Sequence, residues 1–314
     1  MVRPAGSGST GAPESYAEVM ISPIPPAEVE VDARLVRRLL RNQHPALAGS
    51  RLRRIGSGWD NVVFRLGPDL TVRVPRRELG ARLIETELRW LPQLAESLPL
   101  PVPTPLLVGE PTSFYPWRWV VCAHVPGQAC QDVAFSGGAG QRAADTLAGF
   151  LRALHVPAPA AAPTNPFRGV PLARRADSVA TALPIVPRGQ RALVARAWGE
   201  ALEAASHTGA DLWVHGDLHG LNVLASSGRI TGVIDFGDLC AGDPATDLAS
   251  AWLLLDRSGR ARMRAALGTD DAAWARGRGW AAFFGLTFLA HSADSTVNAS
   301  IGRRVLNEVC GDGS

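Results

Sequence analysis

The sequence contains no lysine, so all 32 of its Lys+Arg residues are arginine. Alanine, glycine and proline are abundant in the same chain, which points to genomic codon bias. One chemical consequence remains: any role usually filled by lysine falls to arginine or stays empty. Cysteine is scarce. Cys122, Cys130, Cys240 and Cys310 form no C-x-x-C pair and show no regular spacing, and they read as reduced, mostly buried thiols. There is no block of like charge and no interleaving of basic and aromatic residues. The net charge of +3 therefore does not imply a nucleic-acid partner. No apolar run reaches membrane-spanning length, and the N-terminus lacks a basic segment followed by an apolar one. A soluble, cytoplasmic protein without a membrane partner is expected.

What is present is a globular composition, 46% hydrophobic and 19% charged over 314 residues, long enough for two lobes around a cleft. Residues 1–30 are rich in Gly, Ser and Pro and read as a flexible tail. Val31, Leu35, Leu39 and Leu40 then recur like one face of a helix. "LRRIGSGWDNVVFRLGPDLTVRVP" and "RWVVCAHVPG" are short β-branched and aromatic runs broken by Gly, Pro and Asp, as in sheet strands. Between them Leu83, Ile84, Leu88 and Leu91 keep helical spacing, with Pro92 expected to end the helix. After Gly127 the chain becomes Ala- and Leu-rich and mainly helical. The exceptions are a strand-like patch at residues 221–236 and the Pro/Ala-rich loop "VPAPAAAPTNPFRGVP". The pattern predicts an N-terminal sheet carrying one helix, then a helical remainder.

The chemistry concentrates in "VHGDLHGLNVL", residues 214–224. His215 through Asn222 fit H-x-D-L-x-x-x-N, and "VIDFG" supplies D-F-G after a hairpin-like spacer, as in the kinase signature set. Phosphoryl transfer needs one base near the acceptor hydroxyl and hard oxygen ligands for the Mg²⁺ that accompanies the phosphates. Asp217 has the chemistry of that base. Asn222 and Asp235 offer the oxygen ligands, and His215 braces the loop. The rival reading takes His215, Asp217 and His219 as ligands of zinc or iron in a metal-dependent hydrolase. It leaves Asn222 and the D-F-G segment unexplained, and the five other histidines form no second cluster. Under the kinase reading His219 has no assigned role.

These motifs, together with "GVIDFGDLCAGDPATDLASAW", "IGSGWDNVVFRL" and "IETELRWLPQL...LPVPTPLLVG", resemble the aminoglycoside phosphotransferase family of antibiotic and small-molecule kinases over roughly residues 31–310. The resemblance implies an α+β, protein-kinase-like two-lobe fold. Its nucleotide-binding lobe, residues 31–123, is an antiparallel sheet with a helix; its catalytic and substrate lobe, residues 124–314, is mainly helical. The resemblance also implies ATP or GTP as phosphoryl donor, Mg²⁺ as cofactor and a small-molecule hydroxyl as acceptor. Asp247 in "GDPATDLA" is similar to the buried aspartate that anchors the catalytic loop, and a helix-terminal aspartate fits the same position. Gly56, Ser57 and Gly58 would form the nucleotide-positioning loop, and the backbone of Ala123 and Val125 would meet the purine edge.

One departure concerns the strand lysine that contacts phosphates in the family. "LTVRVPRR" puts Arg73 there, with Glu87, or alternatively Glu85, as the bracing carboxylate. A catalytically silent nucleotide-binding module is the alternative this substitution raises. The acceptor is not specified. From residue 236 onward nine Asp/Glu face eight Arg, without the acidic excess a polycation pocket needs. Trp252, Trp274, Trp280, Phe283, Phe284 and Phe288 suit a pocket for a large apolar acceptor such as a macrolide, but core is the better expectation. Arg276 and Arg278 beside them read as a solvated face or as contacts to an anionic group.

Overall fold

Asp32 starts the first helix, α1 (Ala33–Gln43), by accepting the Leu35 amide at 2.8 Å. The computed structural model describes residues 26–131, 135–292 and 296–311. Residues 1–25 of the expected tail lie outside them. The part of the tail that is described lies on the sheet: the amides of Glu28 and Val29 donate to the Arg76 carbonyl at 2.9 and 3.1 Å, and Val31 is buried.

Five antiparallel strands follow, β1 (Leu52–Ser57), β2 (Asn61–Leu66), β3 (Leu70–Pro75), β4 (Pro105–Gly109) and β5 (Trp119–Ala123), in the order β1-β2-β3-β5-β4. Strand alternation sorts the two faces. Val72 and Val74 of β3 pack with Phe64, Trp119 and Val121 against Val36, Leu39 and Leu40 of α1. Val120 and Cys122 turn to the other face and meet Ile84 of α2 (Glu78–Ala95). With both faces covered, β3 is buried along nearly its whole length. Arg73, between Val72 and Val74, points toward α2.

α2 runs three residues past Pro92, which the sequence expectation placed at its end. Proline forfeits one backbone hydrogen bond to the preceding turn. Leu91 and Leu94 on either side of it are buried in the main core, and that burial keeps the helix going.

The remainder is mainly helical: α3 (Gly137–Leu154), α4 (Ala176–Ala182), α5 (Arg188–Glu203), α6 (Ala245–Leu248), α7 (Ser250–Leu254), α8 (Arg257–Leu267), α9 (Asp271–Ala290) and α10 (Thr296–Gly311). α9 is apolar all round through its second half, which is the pattern of a central helix. Its Trp280, Phe283 and Phe284 are buried among α5, α7 and α10, as is Trp252, so most of the aromatic set is core. Each such side chain contributes roughly 1.5–3 kcal/mol. Arg276 is not a solvated residue: it forks onto Asp243, Nε to Oδ2 at 2.8 Å and an NH2 contact to Oδ1 at 3.2 Å. Arg278 is half-buried between Glu200 and the Val309 carbonyl.

Between these helices lie β6 (Gln128–Ala129), β8 (Val223–Ser226) and β9 (Arg229–Val233) in one small sheet, and β7 (Leu212–Val214) paired with β10 (Cys240–Gly242) in another. Among the described residues no helix is long and apolar enough to cross a membrane.

Candidate active site

β7 ends at Val214 and β8 begins at Val223, so residues 215–222 form the loop between two buried strands. The antiparallel register of β7 with β10, Val214 opposite Cys240, folds the segment after β9 back over this loop. Sequence separation is thereby removed, and the D-F-G residues stand beside H-G-D.

Asp247 holds the entry to the loop. Fully buried, it accepts the His215 amide at 2.7 Å, the Gly216 amide at 2.9 Å and His155 Nε2 at 3.1 Å. Gly216 takes φ of +83°, and a Cβ there would stand 2.8 Å from the Asp238 carbonyl oxygen. Only glycine meets both demands. The His215 ring is also fully buried. Its Nδ1 accepts the Asp217 amide at 3.2 Å and its Nε2 donates to the Ile234 carbonyl at 3.1 Å. Both nitrogens are committed, so His215 has none left for a metal. Among the described residues there is no group of three or more His, Cys, Asp or Glu arranged to hold a metal ion. The hydrolase reading loses its ligand set.

The Asp217 carboxylate, 24% exposed, receives His219 Nε2 and Asn222 Nδ2 on Oδ2, each at 3.1 Å, and an Arg168 NH2 on Oδ1 at 3.4 Å. Burial pushes this carboxyl up, but the His219 ring and its hydrogen bond, then Arg168 and His215, outweigh it. Asp217 is held well below the ordinary carboxylate range. An anionic carboxylate with lone-pair capacity on one oxygen can accept a proton from a bound hydroxyl.

Asn222 Nδ2 also donates to the Asp217 carbonyl at 2.9 Å and stands 3.4 Å from His219 Nε2, so these three contacts all fall on its nitrogen and direct Oδ1 elsewhere. Its carbonyl accepts the Ile234 amide at 2.9 Å, tying it to the residue before Asp235. Asp235 adopts a left-handed backbone, φ 66°, and leaves its side chain 54% exposed. Four carboxylates crowd this mouth. Burial, then Asp235 and Asp238 against the opposing pull of Arg77, raises Asp60, and burial together with Asp217 and Asp235 raises Asp238. A divalent cation would relieve that repulsion.

On the sheet side Arg73 forks onto Glu87, NH1 to Oε2 and NH2 to Oε1, and its NH2 also stands 3.6 Å from Asp235 Oδ1. Glu85, the other candidate, instead reaches Arg118 at 3.2 Å. Burial raises the Glu87 carboxyl even with Arg73 beside it. Gly56 and Ser57 close β1, and Gly58 opens the turn to β2, its amide donating to the Asn61 carbonyl at 2.9 Å. Neither glycine needs a positive φ, and a Cβ on Gly56 would meet nothing within 4 Å. The protein's own packing does not demand these glycines. Ala123 ends β5 with its amide already donated to the Thr104 carbonyl at 3.2 Å, and Val125 is buried against Gly232. The Ala123 amide is therefore not available to a purine edge.

Sequence reasoning did not single out His155, Asn165, Arg168 or Asp238. Arg168 reaches Asp217 and stands 3.9 Å from Asp238, while Asn165 donates to Asp238 at 2.7 Å. Both come from the Pro/Ala-rich loop, whose composition carries no periodic signal. Asp238 directly follows D-F-G and was open to notice. Phe288 sets its edge against His219 with ring centroids 5.1 Å apart, and Trp59 of the glycine loop meets His291 at 4.7 Å across the cleft. Trp252 and Trp274 instead border a cavity of about 650 Å³ between α5, α8 and α9 that none of the loop residues lines.

The model of the family described as "Phosphotransferase enzyme family" matches residues 51–280. No curated protein matches in sequence. Among solved structures, the GDP and kanamycin complex of APH(2")-IIia shares 20% identity at a TM-score of 0.70, covering 89% of this chain and 99% of that one. The streptomycin-ATP ternary complex of APH(2")-IIa shares 17% identity at 0.59, covering 83% and 91%. The macrolide 2'-phosphotransferase from Brachybacterium faecium shares 19% identity at 0.57, covering 87% and 97%. These likenesses show the fold: an α+β, kinase-like arrangement of antiparallel sheet and helical body.

Proposed function

The chain belongs to the phosphotransferase enzyme family, and we propose that it transfers the γ-phosphate of ATP or GTP to a hydroxyl of a small antibiotic-like or metabolite acceptor. The observation that carries this reading is the Asp217 carboxylate, held anionic beside Asn222 and within one cleft of Asp235 and the Arg73–Glu87 pair.

In this reading residues 31–123 bind the nucleotide and residues 124–314 supply the base and the acceptor surface. Asp217 takes the proton of the acceptor hydroxyl as its oxygen bonds to the γ-phosphorus. The bond from that phosphorus to the bridging oxygen breaks, and the nucleoside diphosphate leaves with the electron pair. Asn222 Oδ1 and the exposed Asp235 carboxylate are hard oxygen donors that suit nucleotide-borne Mg²⁺. Held there, Mg²⁺ would supply positive charge against the phosphate oxygens. Gly56, Ser57 and Gly58 let backbone approach the phosphates, the Val125 backbone and the Ala123 carbonyl face the purine, and Asp247 and His215 keep the loop in shape.

Kanamycin, streptomycin and macrolides appear with the structural neighbours. In this chain part of the negative charge around the base is already paired, Asp60 with Arg77, and Asp217 and Asp238 with the single Arg168. A polycation needs unmatched negative charge, so the acceptor panel includes neutral and apolar hydroxyl compounds beside aminoglycosides.

The test is transfer of label from γ-labelled ATP and GTP to that panel with Mg²⁺ present. Wild-type transfer that disappears in Asp217→Asn supports the reading, and transfer unchanged in that variant refutes it. A silent nucleotide-binding module is the second reading, favoured by the commitment of Arg73 to Glu87. Calorimetric binding of nucleotide without turnover on any acceptor selects it.

A further inference from the structure

The proposed reaction leaves one polar side chain of the loop unused, and its geometry is specific. His219 lies two residues after Asp217, on a turn closed by its own amide donating to the Asp217 carbonyl at 3.1 Å. Only 8% exposed, its ring is fixed on three sides. Nδ1 accepts the Leu221 amide at 3.2 Å, the edge of Phe288 abuts it, and Nε2 meets Asp217 Oδ2 at 3.1 Å. Since Nδ1 is an acceptor, Nε2 carries the hydrogen and donates it to the carboxylate.

Each carboxylate oxygen offers two lone-pair sites. On Oδ2 both are filled, by His219 Nε2 and by Asn222 Nδ2 at 3.1 Å. On Oδ1 one is filled, by an Arg168 NH2 at 3.4 Å. The two oxygens are therefore not equivalent, and the one with capacity to spare is Oδ1. We propose that His219 is a positioning residue that saturates Oδ2 and so dedicates Asp217 Oδ1 to the acceptor hydroxyl. Its Nε2 and Asn222 Nδ2, 3.4 Å apart, are two donors that share Oδ2 as their common acceptor. Without this donor Oδ2 keeps only Asn222 Nδ2, one of the carboxylate's three side-chain restraints is lost, and Oδ1 is held less firmly toward the hydroxyl. Misplacement of a reacting group on the scale of an ångström costs about 10- to 100-fold in rate.

This inference rests on the phosphotransferase reading, and the experiment separates their failures. In the full-length chain, Asp217→Asn, His219→Leu and His219→Gln are compared for kcat, nucleotide KM and Tm, using MgATP and MgGTP with the acceptor that the panel returns. Glutamine places an amide donor about where Nε2 stands. The expected result is a kcat loss of about 10- to 100-fold in His219→Leu with nucleotide KM unchanged, and recovery to within a few-fold in His219→Gln. If Asp217→Asn abolishes transfer while His219→Leu does not slow it, the inference falls and the reading stands. If Asp217→Asn leaves transfer intact, the reading falls first.

A readout independent of turnover, and of whether His219→Leu folds, is nitrogen-15 NMR of the histidine-labelled chain. His219 is expected as the Nε2–H tautomer, with a slowly exchanging proton whose signal shifts in Asp217→Ala. A protonated Nδ1 with an unprotonated Nε2 overturns the proposal.

Discussion

Removing the Glu87 carboxylate is expected to cost more than removing the whole ion pair. Arg73 and Glu87 are 6% and 1% exposed and joined through two N–H···O contacts. The guanidinium stays charged throughout the pH range of a folded protein, so Glu87→Leu leaves a buried cation whose nearest remaining carboxylate, Asp235, is 3.6 Å away and itself half-exposed. Breaking a buried pair from one side costs about 3–5 kcal/mol, whereas replacing both partners with apolar residues is often near neutral. The double variant Arg73→Met/Glu87→Leu should therefore regain most of the stability lost by Glu87→Leu alone. Nucleotide affinity separates structure from function: if Arg73 also contacts phosphate, the double variant stays weak for MgATP and MgGTP despite its recovered stability. Urea unfolding gives the first quantity and calorimetric titration the second. A single variant that loses less than about 1 kcal/mol, or a double variant no more stable than the single, refutes the reasoning about the buried charge. Full nucleotide affinity in the double variant would remove Arg73 from the nucleotide site.

Three further outcomes are expected. Asp247→Ala strands two buried backbone amides, those of His215 and Gly216, at about 1–3 kcal/mol each, and urea unfolding should show a loss of about 2–6 kcal/mol; no change would mean that the loop finds other acceptors. Gly216→Ala forces a left-handed φ on alanine and a 2.8 Å contact with the Asp238 carbonyl, so a stability loss above about 2 kcal/mol is expected, and an unchanged Tm would contradict it. Burial pushes the Cys122 thiol up to about 12, against about 8.5 in an unfolded chain. Native protein at pH 8 should leave Cys122 unlabelled by iodoacetamide and label it rapidly in urea. The folded state holds this proton more tightly, so the stability is fully present below pH about 8.5 and falls by about 1.4 kcal/mol per unit as pH climbs toward the folded value. Stability that is flat from pH 9 to 11, measured by denaturant midpoint, counts against it.

Which parts of the fold and site were legible in the sequence follows from how local their causes are. Runs of β-branched and aromatic residues marked the strands and helical spacing marked α2, but the spacing read in α1 did not mark Val36, a buried member of that helix. Proline at position 92 was read as a stop because its local effect is unfavourable; the burial of Leu91 and Leu94 that overrides it is tertiary. The loop residues were legible because phosphoryl transfer demands carboxylate and amide side chains at a spacing that the chain can record. Arg168 was not. It reaches Asp217 from 49 positions away, through a segment whose Pro and Ala content says only that it is a loop. The same holds for His155, whose partner Asp247 lies 92 positions downstream.

The absence of lysine acquires a sharper meaning in this setting. A strand lysine is a single ammonium whose donors can be shared between a helix carboxylate and a phosphate. Arg73 has five N–H donors in a planar fork, and the contacts with Glu87 take one from each terminal nitrogen, with one of those nitrogens also facing Asp235. The fork is thus a rigid brace between α2 and the D-F-G segment, and whatever it offers a phosphate must come from its remaining edge. Arg73→Lys would keep the charge while giving up the fork, so its effect on nucleotide affinity relative to Arg73→Met isolates the contribution of charge from that of geometry. In a chain without lysine this brace is built from a guanidinium, and the comparison of Arg73→Lys with Arg73→Met tests whether the same residue also contacts phosphate.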